Sequence, residues 1–302
     1  MKTFQDKVAV ITGGASGLGR EFASTAAGLG MKLVLADVQQ DALDKAVAEL
    51  EGQGAQVLAM LCDVRKGEQV QALADATMAR FGAVHLLFNN AGVGSGGLIW
   101  ENSEADWDWV IGVNLYGVVH GVRIFTKLML ECAKADPSYE GHIVNTASMA
   151  GLLNAPTMGV YNVSKHAVVS LSETLYHDLQ LVDAPIGASV LCPYFVPTGI
   201  SQSHRNRPAD VAMKAAPTKS QMAAQAMTVK AVESGKVSAA DVSQLTFEAI
   251  REGRFYIYSH PGALGGVAER MGDIVNQRNP SDPYQATPHV REALKAKMKA
   301  SP

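Results

Sequence analysis

Residues 8–19 read VAVITGGASGLG, a run of five apolar or β-branched residues from Val8 to Thr12 that feeds directly into a turn holding Gly13, Gly17 and Gly19. A short apolar run bounded by glycine is the pattern of a strand buried on both faces, as in a parallel sheet. Glycines placed this way let the backbone turn tightly and let a pyrophosphate approach the amides of a helix N-terminus. The spacing is not GxGxxG, and a glycine cluster after a strand is by itself also consistent with an ordinary turn.

Outward from this turn, similar runs recur at 33–37, 57–63, 85–90, 142–148, 188–193 and 255–259, and each reads as a buried strand. Helical stretches are expected between them at about 17–29, 40–51, 67–81, 103–133, 158–181 and 219–252, the last broken near Gly235. Alternating strand and helix predicts an α/β fold: a doubly wound, Rossmann-like domain with a seven-stranded parallel sheet flanked by helices, its ligands at the carboxyl edge. Length alone leaves one or two domains open for 302 residues. The motifs below span one sheet and favour a single catalytic domain over 1–260, with a substrate flap at 199–218 and a C-terminal helical extension at 261–302. The stripe Val267, Met271, Ile274 and Val275 in that extension is expected to serve packing or subunit contact.

Composition excludes several classes. With 47% hydrophobic and 18% charged residues, the chain can bury a large core and is not a disordered segment. A formal charge of −3 removes the basic surplus that nucleic-acid binding needs. Cys62, Cys132 and Cys192 are too widely spaced for a disulfide scaffold or a zinc site, so no metal is expected and reduced thiols in a cytoplasmic protein are. The first apolar run is too short for a signal peptide or a membrane span.

The residues that carry chemistry fall on strand ends. Asp37 closes the second strand, where a carboxylate can accept hydrogen bonds from both ribose hydroxyls of an adenosine and repel a 2′-phosphate, which argues for NAD over NADP. Arg20, beside the turn, complicates this because a guanidinium can pair with such a phosphate. Asp63 can bond an adenine amino group, and Asn90-Ala91-Gly92 can let the backbone pass close to the ribose, although either is also readable as a simple turn. Tyr161 and Lys165 stand four apart, so both side chains rise from one helix face, and Ser148 brings a hydroxyl toward them.

Together TGGASGLG, Asp37, Asp63, the NNAG of 89–92, Asn114, Ser148 and the YNVSK of 161–165 resemble the short-chain dehydrogenase/reductase family over about residues 4–259. The resemblance implies hydride exchange between a nicotinamide and a carbonyl or alcohol carbon. It implies Tyr161 as general acid or base, Lys165 as the group that holds the nicotinamide ribose and lowers the tyrosine pKa, Ser148 as a substrate-oxygen ligand, and Asn114 as support for a water relay. It extends the cofactor contacts to Gly13, Ser16, Gly17, Leu18, Gly19, Val64, Pro193, Val196 and Thr198. A free tyrosine titrates near 10, so a base effective near neutrality needs about two to three units of depression, on the order of 3 to 4 kcal/mol.

One departure stands out. The family usually has Pro-Gly after the sixth strand, whereas this chain has Pro193-Tyr194, which alters the space beside the nicotinamide. Ser148, Asn154, Tyr161 and Tyr194 are the expected substrate contacts in a mostly apolar pocket, suited to a hydrophobic secondary alcohol or ketone. His204, Arg205 and Arg207 leave an anionic substrate open, with surface solvation the plainer use of that run. The N-terminal segment and long tail are similar to bacterial Cα-dehydrogenases of bulky aryl alcohols. A non-catalytic NAD sensor and a lyase or epimerase are the competing functions. The resemblance also implies a homotetramer or homodimer.

Overall fold

Val8 opens a strand that lies beside the point where the chain reverses its direction of travel across a seven-stranded parallel sheet. In the computed structural model, which describes residues 1–213 and 215–299, the strands are β1 (Val8–Thr12), β2 (Lys32–Asp37), β3 (Val57–Leu61), β4 (Leu86–Asn89), β5 (Gly141–Thr146), β6 (Ile186–Cys192) and β7 (Tyr256–Tyr258). Their order is β3-β2-β1-β4-β5-β6-β7, and every neighbouring pair is parallel. The gap between the carboxyl ends of β1 and β4 is therefore the switch point where such sheets bind ligands. Position 214 of the expected flap and positions 300–302 of the expected extension lie outside the described residues.

Helices α1 (Gly17–Gly28), α2 (Gln40–Glu51), α3 (Gly67–Phe81), α4 (Glu104–Ile111), α5 (Gly117–Ala135), α6 (Gly159–Leu181), α7 (Lys219–Glu233) and α8 (Ala239–Glu252) supply the crossovers. On one face Phe22 stacks on Phe88 at 4.5 Å and Phe247 closes the same cluster. On the other, Val34, Leu73, Leu87 and Phe125 form a second fully buried core. The strands carry no polar face because helices cover both sides.

The expected single helix over 103–133 is two helices joined by one π turn, Gly112–Tyr116. Tight packing at its ends requires glycine: a Cβ on Gly117 would lie 2.7 Å from a Val64 methyl carbon. The extra residue in that turn points Asn114 into the interior, where it is fully buried. The irregular 199–218 stretch folds as two 3₁₀ segments, Gly199–Asn206 and Ala209–Val211. Beyond β7 the tail forms α9 (Leu264–Val275) and α10 (Pro288–Lys299). Among the described residues no helix is long and apolar enough to cross a membrane.

Candidate active site

The glycine turn is held in shape by its neighbours. Gly13 and Gly17 adopt φ of 63° and 54°, values that side chains rarely tolerate. Thr12 Oγ1 accepts the Asn90 N–H at 2.9 Å and the Ala91 N–H at 3.1 Å, locking β1 to the end of β4. Ser16 makes no side-chain cap and the first turn of α1 holds no acidic residue, so the positive end of the helix faces the cleft uncompensated. Gly13, Ser16, Gly17 and Leu18 line that cleft. Gly19, expected among the cofactor contacts, does not; it is buried beneath the turn, where a Cβ would meet the Gly13 carbonyl oxygen at 2.0 Å. Its role is close helix-to-turn packing.

Asp37 stands at the far end of the cleft. Its carboxylate accepts N–H bonds from Ala15 at 3.1 Å, Val38 at 2.8 Å and Gln39 at 3.2 Å. Burial raises its pKa above the ordinary carboxylate value, opposed by those backbone donors and by Arg205. Arg20 does not line the cleft and pairs with Glu49 at 2.6 Å. The Asp63 carboxylate, expected to bond an adenine amino group, pairs with Arg65 at 2.6 Å, and Arg65 reaches on to Asp210 at 3.2 Å. Asp63 and Val64 still line the cleft, with Asn90, Ala91 and Gly92 opposite. The Asn90 amide also braces the turn, donating to the Thr12 carbonyl at 3.0 Å and accepting from Thr146 Oγ1 at 3.3 Å.

At the nearer end, β5 and α6 bring Ser148, Tyr161 and Lys165 together. The Ser148 hydroxyl accepts the Ala150 N–H at 3.1 Å, donates to the Pro193 carbonyl at 3.3 Å and hydrogen-bonds Tyr161. Lys165 Nζ lies 5.7 Å from the Tyr161 ring centroid and donates to the Thr146 carbonyl at 2.8 Å. Burial pushes the lysine down to about 8. It pushes the Tyr161 phenol up, with the Ser148 bond opposing. Desolvation is the larger of these two influences on the phenol. Asn114 accepts the Val93 N–H at 2.8 Å and donates to the Val93 carbonyl at 3.0 Å and Ser164 Oγ at 3.1 Å. Its side chain is spent on positioning those two residues.

Two cavities meet at this point. The cleft, about 420 Å³, runs from Asp37 past Pro193, Val196 and Thr198 to Tyr161. A second cavity of about 820 Å³ opens beyond it, and the two share Ser148, Tyr161, Tyr194 and Ile200. Asn154, Met149, Met158 and Phe195 line the second cavity as the sequence suggests. Tyr194 packs at 4.2 Å against Phe195 and at 5.9 Å against His260, forming an aromatic wall where the family has glycine.

Much of that wall is not legible in the sequence. Gln225 and Thr228 of α7, Arg270 of α9 and Tyr284 beyond it all face the cavity. The tail expected to serve packing or subunit contact lines this cavity, with Val267 packed on the core while Ile274 and Val275 remain exposed. A helical stripe reveals that a face is apolar but not what it meets. The flap's Arg207 is likewise no surface charge: it pairs with Asp106 at 2.6 Å, both side chains under a tenth exposed, and stacks 5.0 Å above Trp109.

A doubly wound parallel sheet with a glycine turn at its switch point, joined to a buried Ser, Tyr and Lys group, defines a nucleotide-dependent oxidoreductase architecture. Residues 7–209 match the family model described as short chain dehydrogenase, and the chain belongs to the short-chain dehydrogenase/reductase family of oxidoreductases. It is 34% identical over 98% of its length, and 94% of the relative's, to the C alpha-dehydrogenase of a Sphingobium species. It is 34% identical over 93% of its length, and 97% of the relative's, to the CLA biosynthesis dehydrogenase/reductase of Lactiplantibacillus plantarum. A short-chain dehydrogenase/reductase from Burkholderia phymatum, solved in complex with NAD, shares 57% identity with a TM-score of 0.91, over 94% of this chain and 99% of that one.

Proposed function

We propose that this chain is an NAD-dependent oxidoreductase that interconverts a bulky hydrophobic secondary alcohol and its ketone, with Tyr161 as acid and base. The observation that carries this reading is the junction of the two cavities at Ser148 and Tyr161, which gives a cofactor and a large substrate one shared point of contact. The glycine turn, the uncapped α1 N-terminus and the three-donor cradle around Asp37 suit a dinucleotide. The Burkholderia relative's NAD complex supports the same cofactor here. An aryl alcohol is the substrate class favoured by the aromatic wall and by the C alpha-dehydrogenase relative.

When bound, the nicotinamide supplies the carbon that accepts or gives the hydride. Ser148 holds the substrate oxygen beside the Tyr161 hydroxyl, and the phenol takes that oxygen's proton during oxidation or returns one during reduction. Lys165 is the nearest cation to the ring, and its charge favours the phenolate at the moment the proton leaves. Burial raises the Tyr161 phenol and the Ser148 hydroxyl opposes that rise, and a positively charged nicotinamide ring held in the cleft would favour the phenolate further. Asn114 keeps Val93 and Ser164 in register beside this group, which is how it would support a water relay to Lys165.

The same reading includes assembly as a homotetramer or homodimer through α5 with the π turn before it and α6, supported by the exposure of Tyr116, Val163 and Leu181 and tested by light scattering. The decisive assay is a screen of aromatic and alicyclic secondary alcohols with NAD and NADP separately, following absorbance of the reduced nicotinamide. Net reduction of NAD that disappears in Tyr161→Phe is the expected result. Cofactor binding without turnover across the screen points to a sensor and overturns it.

A further inference from the structure

The face that α9 turns toward the protein carries Gly266, Val267, Arg270 and Asp273, positions spaced for one helical stripe. Gly266 lies against Leu153 and Val267 packs on the apolar core, so a fully apolar stripe would be the simpler choice. Two charges interrupt it. Asp273 is buried and satisfied, accepting from Arg278 Nε at 2.9 Å and from the Ser281 N–H at 2.9 Å. Arg270 lines the substrate cavity half-buried, and no carboxylate of the described residues pairs with it. Its neighbour Glu269 also borders the cavity but is exposed to water.

A guanidinium held half out of water without a counter-ion is costly, and a carboxylate that forms two parallel bonds to it offsets that cost. We infer that Arg270 is an anion anchor, and that the substrate is a hydrophobic alcohol or ketone carrying a carboxylate several bonds from its reacting carbon. Arg270 and Tyr161 both line this cavity, Tyr161 at its junction with the cleft. A substrate that reaches across the cavity from Tyr161 to Arg270 carries an apolar body between its reacting carbon and its carboxylate. The inference rests on the reading of Tyr161 as the acid and base and adds to it the polarity of the far end of the substrate.

The test compares para-acetylbenzoate with its methyl ester as substrates for reduction by NADH, using the full chain, Arg270→Gln and Arg270→Lys. The expected result is a kcat/KM at least 10-fold higher for the acid, a preference that Arg270→Gln removes through a rise in KM for the acid and Arg270→Lys partly restores. Equal use of acid and ester by the unmodified chain, or an equal loss on both in Arg270→Gln, overturns the inference. A thermal shift with para-ethylbenzoate, which has the anion but no reducible carbonyl, separates the two readings. A stabilisation that needs Arg270 supports the anchor even where no ketone is reduced, and absence of any shift in the unmodified chain counts against it.

Discussion

Lys165 donates to the Thr146 carbonyl at 2.8 Å, and this bond ties the α6 turn that carries Tyr161 and Lys165 to the end of β5. The ammonium is almost completely buried and has no carboxylate partner among the described residues.

Its pKa, pushed from 10.5 to about 8 by burial, makes it a destabilising group. The folded state binds fewer protons than the unfolded one between pH 8 and 10.5, so this residue's contribution to stability rises with pH through that window. At pH 7 the full cost is about 3 kcal/mol, against about 1 kcal/mol for the lost bond to Thr146. Lys165→Met is therefore expected to be inactive yet more stable at pH 7 by roughly 2 kcal/mol, with the gap shrinking by pH 10. Urea denaturation of both chains at the two pH values checks this, since the difference cancels titrations common to both.

Asp37 should set the choice of dinucleotide, because a 2′-phosphate placed beside a buried carboxylate meets direct repulsion worth several kcal/mol. Asp37→Ser is expected to lower the ratio of kcat/KM for NAD over NADP by about a hundredfold, a change of roughly 2.7 kcal/mol. An unmodified chain that already prefers NADP contradicts the assignment outright.

Two glycines of α1 should respond oppositely to alanine. A Cβ at Gly19 would overlap the Gly13 carbonyl, so Gly19→Ala must distort the turn and should abolish NADH binding measured by fluorescence titration. A Cβ at Gly28 would meet nothing within 4 Å, and Gly28→Ala should stabilise the chain by about 0.5 to 1 kcal/mol, read from the same urea titration.

The flap depends on one buried ion pair. Removing only the Asp106 charge leaves Arg207 buried without its carboxylate partner, a loss of about 3 to 5 kcal/mol concentrated where the flap docks on α4. Asp106→Asn is expected to increase amide hydrogen exchange over 199–211 and to weaken NADH binding. Unchanged exchange in that segment would show that the pair does not hold the flap.

The order and type of elements were readable because periodicity is local: VAVIT at 8–12 is a buried strand wherever it lies, and Tyr161 and Lys165 share a helix face by spacing alone. The π turn at Asn114 is invisible to periodicity because one inserted residue barely disturbs an apolar helical pattern. Candidate identities along the cleft were also readable, since each falls at a strand end and the sheet gathers strand ends on one edge. What the residues were free to do was decided only by tertiary contact. Arg65 takes up Asp63, Glu49 takes up Arg20, Gly19 lies under the turn, and burial raises Tyr161. The tail shows the division most plainly: its sequence declares a helical extension, but the placement of Arg270 and Tyr284 beside residues more than a hundred positions earlier depends on how the whole chain closes. Local pattern determines which segments need burial, whereas electrostatic partners and cavity walls arise from long-range packing that no local pattern encodes.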